Sequence, residues 1–199
     1  MPSFEFEEKY LSEGYKIICG TDEAGRGPLA GPVCAAAVIL PLGYMPEDLN
    51  DSKKLTEKKR DLLFDLIREN AISYGIAFAS VEEIDSLNIL NASQLAMRRA
   101  VAMLSPTPDL VLVDGNVARG FEMKAVPIVK GDFLSASISA ASILAKTARD
   151  RLMKELDEKY PEYQLSKHKG YPTPLHMQLV RELGPSPIHR RTFLKFLDK

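Results

Sequence analysis

Residues 16–40 read KIICGTDEAGRGPLAGPVCAAAVIL, and two apolar runs within them frame the fold. The first, KIICG at 16–20, stops at a polar, glycine-rich stretch; the second, VCAAAVIL at 33–40, continues unbroken to Pro41. A run of that length without polar interruption suits a strand buried on both faces. Gly25, Gly27, Gly31 and Pro28 supply turn chemistry between the runs, so residues 21–31 are expected to form a loop joining two strands. Asp22 and Glu23 then fall just past the end of the first strand.

Further strands and helices are expected on either side of this unit. Leu55 and Thr56 resemble a staple and an N-cap, followed by Leu63, Leu66 and Ile67 at helical spacing. Residues 73–80 (SYGIAFAS) read as a third strand and 88–104 as a helix that SPTP at 105–108 breaks. LVLV at 110–113 ends at Asp114, and residues 125–129 form a short strand whose Pro127 assigns it to a sheet edge. One long helix is expected from Phe133 to about Tyr160, with small residues in its first turns that permit close approach of a neighbour. Its charged positions Lys146, Arg149 and Arg151 read as a solvent-exposed face, and Met97 and Met103 as core residues. A last helix spans 173–183, with Gly184 as its C-terminal stop. Strands and helices intermix, so the fold class is α/β: a mixed sheet flanked by helices, with a small C-terminal helical segment.

At 199 residues with 45% apolar content, the chain suits one compact unit, divided here into a core over residues 1–165 and a basic segment over 166–199. The net charge of −1 gives no sign of a nucleic-acid partner, but residues 165–199 hold seven Lys/Arg against two acids, together with His168, His176 and His189. Cys19 and Cys34 lie in strand-like runs and read as buried free thiols of a reducing compartment. The acidic, polar N-terminus and the absence of any long apolar run imply a cytoplasmic protein with no membrane partner, expected to be a monomer.

A single acid at a strand end usually just solvates the sheet edge. Four of them change the reading. Asp22, Glu23, Asp114 and Asp132 all follow strand-like runs. If those strands lie side by side, their carboxylates crowd into one cleft and raise one another's pKa, and a divalent cation is the usual remedy. An oxygen-only donor set selects Mg²⁺ or Mn²⁺ over zinc, and two such ions can support in-line phosphoryl displacement. Arg26 between Gly25 and Gly27 can take a phosphate where the backbone approaches closely. Tyr171, between Gly170 and Pro172, read by itself, is a loop pin, and His168 and Lys169 on the same loop read as ordinary solvated residues.

These motifs have a family. Asp22-Glu23-Ala24-Gly25-Arg26-Gly27 with Ala30-Gly31-Pro32-Val33 resembles the opening of the ribonuclease HII family. The likeness continues through Asp51-Ser52-Lys53-Lys54-Leu55, Val113-Asp114-Gly115, Lys130-Gly131-Asp132 and residues 137–146. It ends with His168-Lys169-Gly170-Tyr171-Pro172-Thr173 and His189-Arg190-Arg191-Thr192-Phe193, where Thr192 replaces the more usual serine. The resemblance implies a ribonuclease H-like fold, with Asp22, Glu23, Asp114 and Asp132 as catalytic metal ligands for Mn²⁺ or Mg²⁺. It implies cleavage of the RNA strand of RNA/DNA hybrids and incision 5′ of ribonucleotides embedded in duplex DNA, leaving 3′-hydroxyl and 5′-phosphate ends. It further implies that Gly25, Arg26, Gly27 and Tyr171 sense the ribonucleotide and that Lys53 contacts a phosphate. Arg190 and Arg191 are expected to contact the duplex from the basic tail. Two rival readings are a metal-dependent phosphotransferase of related fold and a non-catalytic duplex-binding module. The chain has no Gly-x-x-x-x-Gly-Lys-[Ser/Thr] run for the first, and four acids would repel DNA in the second.

Overall fold

The apolar run before Pro41 becomes β2 (Val33–Ile39), buried at every position. It earns that pattern inside a sheet covered on both sides. The computed structural model describes residues 1–47, 49 and 55–198, with five strands in the order β3-β2-β1-β4-β5. β1 (Ile18–Ala24), β2 and β3 (Ser73–Ala79) form an antiparallel meander. β4 (Leu110–Asp114) and β5 (Lys124–Ile128) continue the sheet parallel to β1, and β5, with Pro127, is an edge strand as expected.

β1 departs from the sequence reading in one respect that matters. The strand runs on through Asp22 and Glu23 to Ala24, pairing them with Ala36 and Ala35 of β2. The loop therefore begins at Gly25 rather than at Thr21. Backbone pairing with β2 carries the strand past its last apolar residue, and the Thr21 hydroxyl donates to the Ala36 carbonyl at 2.7 Å.

One face of the sheet packs α3 (Val81–Leu87) and α4 (Ile89–Ala102) over Cys19, Ala35, Ala37, Val111 and Val113. The other packs α2 (Glu57–Asn70) and α6 (Ala136–Lys159) over Cys34, Ala36 and Val38. Alternation along the strands puts the two free cysteines on opposite faces. The small residues at the start of α6 admit the close approach expected of them: a Cβ on Gly20 of β1 would lie 2.3 Å from the Ile138 backbone nitrogen. Met97 is core as expected, whereas Met103 is 59% exposed.

Three helical features depart from the sequence reading. α3 is extra, and the signal for it was local: Ser80 and Glu83 form a capping box. The helix expected from Phe133 is two, α5 (Gly131–Leu134) and α6, separated by extended Ser135, whose side chain caps Ile138 N–H at 3.2 Å. α1 (Glu5–Ser12) is also unanticipated; its buried Glu7 accepts from the Ser135 hydroxyl at 2.7 Å and the Ser137 N–H at 3.0 Å.

Beyond residue 165 come α7 (Leu165–His168), α8 (Pro174–Leu183) with its Thr173 cap and Gly184 stop, and two short 3₁₀ turns. This segment packs Leu165, Val180 and Leu194 against Met153 of α6 and against Leu29 and Ala30 of the loop after β1.

Candidate active site

Parallel pairing sets Thr21 of β1 opposite Val113 of β4, so the next residues, Asp22 and Asp114, stand on neighbouring strands toward the same end of the sheet. α5 adds the third element: the Asp132 N–H donates to Asp114 Oδ1 at 3.2 Å. Asp22 and Asp132 are buried. Burial, then the charges of Glu23 and Asp114, push the Asp22 carboxyl well above the usual carboxylate range, against hydrogen bonds from the Glu23 N–H and Ser142. Burial also raises Glu23, opposed by Arg26, which reaches Glu23 Oε1 at 3.2 Å. Glu23 Oε2 is buried without a hydrogen-bond partner.

Among the described residues, no three Asp, Glu, His or Cys side chains stand together as a ready-made set of metal ligands. The carboxylates instead take local partners, Asp22 the Glu23 N–H at 2.7 Å and Glu23 the Arg26 guanidinium. Their chemistry nonetheless fits a hard divalent cation: every donor is oxygen, one oxygen is orphaned, and the mutual repulsion is of the kind a cation relieves.

The Gly-Arg-Gly loop and Tyr171 meet beside the acids. A cleft of about 310 Å³ is lined by Glu23, Gly25, Ser142, Lys146, Arg60 and Tyr171, among others. A Cβ on Gly27 would touch the Tyr171 ring at 3.7 Å; the residue is 38% exposed, and the Arg149 and Lys146 charges lie about 6 Å from its ring centroid. Gly25 has φ +97°, and a Cβ there would sit 2.0 Å from Arg149 Nε, so both its conformation and its surroundings require glycine.

Not every expected contact residue faces the cleft. Arg190 is fully buried and donates to the carbonyls of Gly31, Arg26 and Gly25 at 2.9, 3.0 and 2.7 Å. It holds the Gly-Arg-Gly backbone from behind, and its guanidinium is enclosed away from a duplex. Arg191 is exposed on a tail turn whose N–H is held by Asp85 at 2.8 Å. Lys53 lies outside the described residues.

Two expected surface features are interior. Arg149 is fully buried on α6, donating at 3.1 Å to the carbonyls of Pro32, Lys169 and Ala30. The signal was present: it interrupts the buried i, i+4 stripe Ala141, Ala145, Met153. His168, expected to be solvated, is buried with His176 and His189. Lys146 does reach the surface, but at the rim of the cleft, where it pairs with Asp150 at 2.7 Å.

Comparison with known proteins places this architecture. The sequence model of the family described as Ribonuclease HII matches residues 19–196. A Marinomonas ribonuclease HII is 57% identical over 189 residues, covering 94% of this chain and 95% of its own. The crystal structure of ribonuclease H2 from Pyrococcus horikoshii superposes with a TM-score of 0.76 at 27% identity, over 92% of this chain and 97% of that one. Bst-RNase HIII in complex with Mn²⁺ shares the fold at 16% identity and a TM-score of 0.66, over 92% of this chain and 64% of its own. With the mixed five-stranded sheet, a family match across nearly the whole sequence and 57% identity to a full-length relative, this chain belongs to the ribonuclease HII family.

Proposed function

We propose that this protein hydrolyses the RNA strand of RNA/DNA hybrids and incises duplex DNA on the 5′ side of an embedded ribonucleotide, leaving 3′-hydroxyl and 5′-phosphate ends. What supports this reading is the topology that carries Asp22 and Asp114 to one end of the sheet and bonds the Asp132 N–H to Asp114, with the Glu23–Gly25–Tyr171 cleft on the chain beside them. Asp22, Glu23, Asp114 and Asp132 would hold Mg²⁺ or Mn²⁺. When bound, two such ions supply activation of the attacking water and neutralisation of charge on the leaving oxygen.

The chain's own groups do the remainder. Gly25 and Gly27 let the backbone approach the ribonucleotide, Arg26 takes a phosphate, and the Tyr171 ring bears on the sugar from across the cleft. Arg191 adds sequence-independent attraction from the tail, and Lys53 a further phosphate contact. Residues 1–165 act as the catalytic core and 166–199 as the substrate-contacting segment of one compact, monomeric unit. Buried free thiols suit a reducing cytoplasm, and excision of misincorporated ribonucleotides during DNA replication and repair is the corresponding role.

The test is gel analysis of a duplex carrying a single ribonucleotide, with and without Mg²⁺. Metal-dependent incision at its 5′ side supports the reading; an intact duplex under saturating metal rejects it.

A further inference from the structure

Three buried imidazoles lie behind Tyr171, and their hydrogen bonds run in one direction. The Ser186 N–H reaches His189 Nδ1 at 3.1 Å, which makes that nitrogen an acceptor and leaves the His189 proton on Nε2. His189 Nε2 faces His176 Nε2 at 3.1 Å. At the other end, His176 Nδ1 lies 3.0 Å from the Tyr171 carbonyl, which can only accept, so His176 carries its proton on Nδ1 and accepts at Nε2. The two ends impose the same tautomers independently. Burial, with the repulsion of a neighbouring imidazole, lowers both groups to about 4, so at neutral pH each holds one proton and the facing nitrogens share one hydrogen bond without conflict. His168, stacked on His176 at 4.2 Å, is fixed separately: it accepts from the Gly170 N–H at 3.2 Å and donates to the Tyr163 carbonyl at 2.9 Å.

A chain of buried polar rings is costly to build unless every member is satisfied, and apolar side chains would fill the same volume more cheaply. This one ends on the backbone of the half-exposed aromatic in the cleft. The Tyr171 carbonyl also accepts from the Thr173 N–H at 2.8 Å, and the Tyr171 N–H donates to the His168 carbonyl at 2.9 Å.

We propose that His176, oriented by His189, is a positioning residue for Tyr171, and that the directed chain from Ser186 to the Tyr171 carbonyl sets the tyrosine ring against Gly27 for ribonucleotide recognition. This rests on the reading of Tyr171 as a substrate contact.

The experiment is single-turnover cleavage of a duplex with one embedded ribonucleotide in saturating Mg²⁺, beside duplex Kd. His176→Phe keeps a ring but removes the donor, and should slow cleavage about tenfold, the rate equivalent of one hydrogen bond, with Kd unchanged. His176→Asn, which keeps an amide donor near the Nδ1 position, should restore most of the rate. In a Tyr171→Ala background, His176→Phe should have no further effect. If the two losses multiply, His176 does not act through Tyr171 and the inference is overturned while the tyrosine reading stands. If Tyr171→Ala cleaves at the wild-type rate, the tyrosine reading itself falls and takes this one with it. Should His176→Phe fail to fold, ¹⁵N NMR of the unaltered protein decides: His189 protonated at Nε2 and His176 at Nδ1 are required, and the opposite tautomers reject the chain.

Discussion

The Arg190 guanidinium donates to the Gly25 carbonyl at 2.7 Å across 165 positions of sequence. With its further bonds to Arg26 and Gly31, and those of Arg149 to Ala30 and Pro32, two buried guanidiniums hold the loop after β1 by its carbonyls. Burial, then the Arg149 charge beside it, lowers Arg190 to about 9, so it remains a cation at neutral pH. The loop that carries the Gly-Arg-Gly sequence is thereby fixed relative to α6 and to the tail.

Arg190 and Arg191 should therefore behave oppositely. Arg190→Ala strands buried carbonyls that cost about 1–3 kcal/mol each when unsatisfied, so unfolding in urea should show a loss of at least about 3 kcal/mol. Arg191→Ala, at an exposed side chain, should stay within about 0.5 kcal/mol in the same measurement. Its effect should appear in duplex binding, where the slope of log K against log salt flattens by up to about 0.9. Equal stabilities for the two variants would contradict the burial of Arg190.

Asp22→Asn and Asp114→Asn should each reduce cleavage in saturating Mg²⁺ to less than a tenth of wild type, a barrier increase above about 1.4 kcal/mol, while duplex affinity holds or rises. Asp22→Asn should also stabilise the metal-free protein. An acid whose folded pKa lies above its unfolded value binds more protons when folded, so the metal-free wild type loses stability as pH climbs past the ordinary aspartate range. Thermal melts at pH 7 with and without Mg²⁺ read both effects: the cation should raise the wild-type Tm and leave Asp22→Asn nearly unmoved.

Tyr171→Ala should lose rate on a single embedded ribonucleotide more than it loses affinity, because a misplacement of about 1 Å can cost roughly a hundredfold in rate. Tyr171→Phe keeps the ring against Gly27 and separates packing from any hydrogen bond of the hydroxyl. Matched duplexes with one ribonucleotide and with a short run provide the comparison. Wild-type rates on both, at the same phosphate, would reduce the tyrosine to a loop pin.

Acid should weaken the fold through the C-terminal segment. His176 and His189 titrate at about 4 when folded, below their ordinary 6.5. Their contribution is complete above the unfolded value and is lost as pH falls from about 6.5 toward 4, on the order of 2 kcal/mol per histidine by pH 5. Urea midpoints at pH 7 and pH 5 measure the drop. His176→Asn with His189→Gln should flatten it, and an unchanged pH dependence would place the titrating groups elsewhere.

Local chemistry made much of this protein legible from its residues alone. Continuous hydropathy identified β2 as a buried strand, Pro127 sent β5 to an edge, Thr56 and Gly184 marked helix ends, and the ordered motifs assigned the family. Each is a property of a few neighbouring residues, and neighbouring residues are what a sequence displays. The end of β1, the break at Ser135 and the burial of Arg149, Arg190 and the three histidines were decided by tertiary structure. Their partners lie far along the chain: β2 extends the pairing of β1, Glu7 holds Ser135, and the carbonyls of residues 25–32 receive the guanidiniums. A charged side chain reads as solvated until the fold supplies acceptors that satisfy it in the interior, and hydropathy along the chain carries no record of acceptors more than a hundred residues away.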